Sequence, residues 1–266
     1  MFDYHMHSAF SADCEIPMEE MAKASIAKGL TEICFTDHVD YEYPDETIHF
    51  DFDKLEYAKK VQQLNEQFKG QLTIKKGVEI GLQPDLLHLY EELMDEHSFD
   101  FVICSLHTVE NKSLHYRELF ADRTVDEAFE TYYKELLYCI ERYKRYNVLG
   151  HTDLIKRYTD QPPTNQFHDY LEKIFHIIIP EGKGIELNTS GTRYGLPHNM
   201  PSEDILRLYK QCGGEIITLG SDAHRTMEIA HEFKESLELY QSIGFNYLAT
   251  FTEGIPEFHK ISSLMK

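Results

Sequence analysis

The stretch Glu32-Ile-Cys-Phe-Thr-Asp-His38 is a short apolar run that ends on two side chains with chemistry to offer. Phe2-Asp-Tyr-His5-Met-His7 has the same shape, and so does Glu215-Ile-Ile-Thr-Leu-Gly-Ser-Asp222-Ala-His224. Working outward, strands are expected at Phe2–His5, Glu32–Thr36, Thr73–Glu79, Asp100–Ser105, Asn147–Gly150, Gly184–Asn188 and Glu215–Gly220, with a further candidate at Tyr247–Phe251. Between them lie helical patterns: Pro17–Lys28, Asp53–Phe68, Pro84–His97, Val125–Tyr146, Gln166–Ile179, Ser202–Cys212 and Met227–Ile243. Proline opens the first and Gly29 follows its end, the asymmetry expected of a helix. Strand–helix alternation implies a mainly parallel sheet. Seven or eight such units without a long central crossover favour a barrel over an open, doubly wound sheet. Asp40–Asp51 and Thr108–Thr124 read as loop insertions and candidate substrate walls.

The length of 266 residues fits one α/β barrel, so residues 1–266 are expected to form a single domain. Lys plus Arg number 26 against 46 Asp plus Glu, giving a net charge of −20. Such a surface repels nucleic acid and anionic membranes, but a small anionic substrate needs only a local positive site. The five cysteines are an odd number without a C-x-x-C pair, which reads as free thiols in a reducing, cytoplasmic setting. The N-terminal residues lack the pattern of a signal peptide, and no run is long and apolar enough to span a membrane. Nothing in the sequence sets the oligomeric state.

Fifteen histidines need an explanation. In a parallel barrel the C-terminal ends of all strands share one face, where the active site lies. His5 and His7, Asp37 and His38, Glu79, His107, His151 with Asp153, Glu186 and Asn188, and Asp222 with His224 all fall at such ends. Imidazole nitrogen with carboxylate oxygen suits zinc, manganese or iron(II). The i, i+2 spacing of His5 and His7 puts both rings on one strand face. Any one of these residues has an ordinary structural reading; the repetition of the same residue types at strand end after strand end does not. The remaining histidines read as surface or structural, with His115 and His198 in loops able to border the site.

His5-Met-His7, Thr36-Asp-His38, Gly77-Val-Glu79, Ser105-Leu-His107, Gly150-His151 and Gly220-Ser-Asp222-Ala-His224 resemble, in order, the motifs of the PHP (polymerase and histidinol phosphatase) superfamily. The branch most similar is that of the monofunctional histidinol-phosphate phosphatases. The resemblance implies a distorted (β/α)7 TIM-like barrel carrying three divalent metal ions. It assigns His5, His7, Glu79 and Asp222 to the first, Glu79, His107 and His151 to the second, and Asp13, His38 and His224 to the third. Asp13 departs from many members, which have histidine there. It implies hydrolysis of L-histidinol phosphate, with a hydroxide between two metals as nucleophile and Asp222 and His224 nearest the proton chemistry. Arg157 and Arg193 are the implied phosphate contacts, Arg117 and Arg123 being weaker candidates. Asp40-Tyr41-Glu42-Tyr43, Glu186 and Tyr194 are candidates to face the imidazole and ammonium of the substrate. The competing expectations are a phosphoesterase acting on a nucleotide or another small phosphate ester, and a catalytically silent metal-binding protein.

Overall fold

Seven parallel strands curl into a nearly closed barrel. The computed structural model describes residues 1–265. Strands β1 (Phe2–Met6) and β2 (Glu32–Phe35) flank helix α1 (Met18–Ala27), and β3 (His38–Val39) continues the line of β2 after a break at Thr36-Asp37. Helix α2 (Lys54–Gln67) leads to β4 (Thr73–Gly81), and α3 (Leu87–Glu96) leads to β5 (Phe101–Ser105). A small hairpin, β6 (Thr108–Val109) and β7 (Lys112–Ser113), precedes α4 (Val125–Arg142). Then come β8 (Val148–Leu149), α5 (His168–Ile178), β9 (Gly184–Asn188), the short α6 (Ser190–Arg193), α7 (Glu203–Gln211), β10 (Ile217–Gly220) and α8 (Phe233–Ile243). The chain ends in an antiparallel pair, β11 (Tyr247–Thr252) and β12 (Ile255–Lys260), and the short α9 (Ile261–Leu264).

The sheet order is β1-β2-β4-β5-β8-β9-β10, with β3 also paired to β4. Closure is made just past β10: Asp222 N–H donates to His5 O at 2.7 Å and His7 N–H to Ala223 O at 2.9 Å. Asp3 reinforces the seam by accepting from Ser221 N–H and Oγ–H. Helix starts are fixed locally. Asp53 accepts from Leu55 and Glu56 N–H, and Thr124 with Glu127 forms a capping box. All five cysteines are free.

Three expectations need correction. Tyr247–Phe251 is a strand but not a barrel stave. It pairs antiparallel with β12 and closes the end of the barrel opposite the site, where Ala249 and Phe251 pack on Tyr4, Phe101 and Val148. The helix expected at Val125–Tyr146 stops at Arg142, because Tyr143 turns extended and buries its ring. The helix expected from Met227 begins at Phe233, because Ala230 and Glu232 take left-handed φ of 56° and 52°. The carbonyls of Met227 and Ile229 accept from Lys28 Nζ instead of continuing a helix.

Candidate metal centre

The barrel topology brings the expected side chains to one mouth. His5 sits on β1 and His7 one residue past it; His38 is on β3 and Glu79 on β4. His107, His151 and the Asp222–His224 pair follow β5, β8 and β10. Asp13 comes from the loop after His7. Asp13, His38, Glu79, His107, His151 and Asp222 border a cavity of about 1010 Å3.

Glu79, fully buried, is the hub. Its Oε1 lies 3.0 Å from His151 Nε2 and 3.2 Å from His107 Nε2, and accepts from Ser105 Oγ–H at 2.6 Å. Its Oε2 lies 3.0 Å from His5 Nε2, 3.3 Å from His38 Nδ1 and 3.6 Å from His7 Nε2. Burial opposes its charge, yet the surrounding imidazoles hold its carboxyl well below the usual range. Asp222 is the second anion, with Oδ1 3.3 Å from His7 Nε2 and 3.7 Å from His5 Nε2. Its other oxygen accepts from Asn188 Nδ2 at 3.2 Å and Ser190 Oγ–H at 3.1 Å. Its left-handed φ of 52° aims the carboxylate into the barrel mouth. At the outer end, Asp13 Oδ2 lies 3.1 Å from His224 Nε2 and 3.6 Å from His38 Nε2.

Four groups have donor atoms that lie within 4.8 Å of one another: His7–His38–His224, His5–His7–Asp222, His5–Glu79–His151 and His38–Glu79–His107. Two ligands on one tetrahedral ion with bonds of about 2.1 Å stand about 3.4 Å apart, close to the spacings above. Two buried nitrogens that face the carboxylates, His7 Nε2 and His38 Nδ1, have no hydrogen-bond partner among the described residues. Burial and the neighbouring His224 and His38 push the His7 imidazole down to about 3, so at neutral pH it keeps a free lone pair. The donor set therefore fits divalent cations.

Some expected residues fall elsewhere. Glu186 does not face the cavity: it is buried behind His5 and accepts from His151 N–H. Asp40 does border the cavity, but it is buried with its carboxylate against His107 Nδ1 at 2.6 Å. Asp37 turns away to accept from Ser8 N–H and Oγ–H. Asp153 caps Ser202 N–H. Arg157 borders the cavity, stacked 3.9 Å over the Tyr194 ring, with Nη2 donating to Ser190 Oγ. Arg193 also borders it, but its Nη1 and Nη2 donate to the carbonyls of Ser221 and Asp222. Arg117 and His115 line the cavity, whereas Arg123 pairs with Glu110 and His198 turns to Asn199 O. Both insertions form walls, joined where Tyr43 Oη and Ser113 Oγ meet at 2.6 Å. Sequence reasoning missed Tyr158, Arg225 and Glu228 on the cavity wall; Tyr158 and Glu228 lie away from the strand ends and Arg225 lies just past His224, so the strand-end pattern did not single them out.

A parallel barrel with histidines and carboxylates gathered at the strand ends defines a class. The PHP domain model matches residues 3–190, and the chain belongs to that family. It is 33% identical over 258 residues to the histidinol-phosphatase of Lactococcus lactis, covering 94% of each chain. It is 28% identical to a probable histidinol-phosphatase of Clostridium acetobutylicum, covering 91% of this chain and 93% of that one. Among solved structures, it superimposes on the Lactococcus lactis histidinol phosphate phosphatase complexed with zinc, L-histidinol and phosphate. The TM-score is 0.85 at 30% identity, over 96% of this chain and 98% of the other.

Proposed function

We propose that the chain is a metal-dependent phosphomonoesterase that hydrolyses L-histidinol phosphate to L-histidinol and phosphate. The observation that carries the reading is the hub at Glu79: histidines from four strand ends face one buried carboxylate, in a chain similar along nearly its whole length to a histidinol-phosphatase. The residues that would hold cations are His5, His7, Asp13, His38, Glu79, His107, His151, Asp222 and His224, arranged for three ions of zinc, manganese or iron. When bound, such cations supply charge neutralisation for the phosphoryl oxygens and a lowered pKa for water.

The chain's own residues bind and orient. Arg157 presents a planar fork on the cavity wall, held by its stack on Tyr194 and by Ser190, and is assigned a phosphate oxygen. Arg193 uses two of its five N–H groups to brace the Asp222 backbone, leaving others for the same phosphate. Asp222 and His224 stand nearest the proton chemistry. Burial opposes charge on His224, but Asp13 and Asp222 raise it to about 9, so in the metal-free protein it holds a proton shared towards Asp13. Asp222, held well below the carboxylate range by His5, His7 and His224 despite burial, stays anionic. The fit of an imidazole and an ammonium group is assigned to the aromatic walls, Tyr43 and Tyr194 among them, and not to Glu186, which does not line the cavity. A net charge of −20 favours a small ester over a polymer.

The test is phosphate release by purified protein reconstituted separately with zinc, manganese and iron(II). L-histidinol phosphate is compared with other phosphomonoesters and with nucleotides. A strong preference for L-histidinol phosphate, abolished by chelation, is expected. Metal-dependent release from nucleotides with none from L-histidinol phosphate would overturn the substrate and keep the site.

A further inference from the structure

His5 and His107 differ from their neighbours in what stands behind them. Nδ1 of His5 lies 2.8 Å from Glu186 Oε2, and Nδ1 of His107 lies 2.6 Å from Asp40 Oδ2. Both carboxylates are buried, at 1% and 4% exposure. By contrast His7 Nδ1 meets a serine hydroxyl, Ser11 Oγ, at 3.2 Å, and His224 Nδ1 lies 3.1 Å from the backbone carbonyl of Asp222. Glu186 has a second attachment: its Oε1 accepts from His151 N–H at 2.8 Å and from Asn188 Nδ2 at 3.2 Å. One carboxylate thus ties the ring of His5 to the backbone that carries His151. Two glycines keep the space open. A Cβ on Gly81 would fall 2.4 Å from the Asp40 carboxylate, and one on Gly220 would fall 2.3 Å from His5 Cβ and 3.0 Å from Glu186 Oε2.

We propose that Glu186 and Asp40 are positioning residues that fix His5 and His107 with Nδ1–H bonded outward and the Nε2 lone pair turned to Glu79, so that the Glu79 end of the cluster holds divalent cations more tightly than the Asp13–His38–His224 end. A carboxylate behind an imidazole sets its tautomer and strengthens the opposite nitrogen as a donor. It also removes the ring rotation that binding would otherwise freeze. The outer end is less enclosed: the Asp13 side chain is 39% exposed, the nearest carboxylate oxygen to His38 Nε2 is 3.6 Å away, and the carboxylates near His38 Nδ1, Glu79 at 3.3 Å and Asp40 at 3.9 Å, are shared with the Glu79 end. The inference rests on the metal-dependent reading above.

The experiment equilibrates the full chain, loaded with zinc, against graded chelator and counts retained zinc by elemental analysis. Wild type is expected to lose zinc in two stages. Glu186→Gln and Asp40→Asn should weaken the tighter stage by about 10–100-fold and leave the weaker one nearly unmoved, while Asp13→Asn should move the weaker stage. A tighter stage within twofold of wild type in both variants overturns the proposal. So does a Glu186→Gln protein with wild-type zinc retention and a raised KM, which would return Glu186 to substrate contact. If Glu186→Gln does not fold, Asp40→Asn carries the test at the opposite side of the cluster, and an unshifted tight stage there is decisive against it. Wild type that binds no divalent cation defeats the proposed function itself, whereas binding with unshifted variants defeats this inference alone.

Discussion

Replacing Glu79 by glutamine should do more damage than any other isosteric change in the protein. The carboxylate serves two sides at once. Oε1 faces His107 and His151, and Oε2 faces His5 and His38, all within 3.0–3.3 Å. Glutamine can accept at one end only, so its NH2 group must confront one pair of imidazoles whichever way it lies. In the metal-free protein His5 and His107 hold protons against burial because Glu186, Glu79 and Asp40 face them. Removing one partner from such a buried set costs about 3–5 kcal/mol, or roughly 10 °C in Tm for a chain of this size. With cations, the loss must exceed the roughly 10–100-fold of an outer partner, because Glu79 contributes the charge itself. We expect at least about a 1000-fold fall in kcat/KM for L-histidinol phosphate, near 4 kcal/mol in transition-state stabilisation. A chelator should lower the Tm of wild type, since each cation held at 100 times its Kd adds about 2.7 kcal/mol, and should barely move that of Glu79→Gln. The assays are thermal melting with and without chelator, metal content, and phosphate release. A Glu79→Gln protein with wild-type metal content and kcat/KM within tenfold of wild type would refute the reasoning.

Other outcomes follow from the same geometry. Arg157→Lys loses the fork and the stack on Tyr194, and KM should rise about 10-fold with metal content unchanged; steady-state kinetics beside elemental analysis checks it. Gly220→Ala forces a Cβ to 2.3 Å from that of His5, so we expect a lower melting temperature together with weakened metal retention, whereas a wild-type melt would mean the seam is softer than drawn. In metal-free protein, stability should peak near pH 6.5. His224, raised to about 9, stabilises fully below its unfolded value of about 6.5 and loses that contribution as pH climbs to 9. His7, lowered to about 3, stabilises above about 6.5 and loses that contribution as pH falls towards 3. Melting curves in chelator from pH 4 to 9 would show the maximum, and a monotonic profile would count against these assignments.

The barrel was legible because each stave is a short apolar run and each outer layer a helix-length amphipathic stretch. Gly184–Asn188 matched residue for residue. The candidate site was legible because side chains at the strand ends of a parallel barrel gather at one mouth, and His, Asp and Glu there are conspicuous against apolar neighbours. The failures share a cause. Tyr247–Phe251 has the composition of a stave, but its partner is decided by β12, whose sequence Ile255-Pro-Glu-Phe-His-Lys260 gave no stave-like signal. Met227–Glu232 has helix-forming residues, but Lys28, just past the end of α1, captures the carbonyls of Met227 and Ile229.

Glu186 and Asp40 mark the boundary between the two kinds of information. Sequence placed both near the mouth, because a residue's position along a strand or just beyond it follows from the local pattern alone. Whether such a carboxylate is left free at the cavity or is taken up behind a histidine depends on which ring arrives from a distant strand. His5 lies 181 residues from Glu186, and His107 lies 67 from Asp40. The sequence by itself determined the residue types, the strand ends and the acidic surface. Tertiary structure decided which oxygen meets which nitrogen, because at separations of 3 Å the outcome is set by how the staves close and by where glycine leaves room.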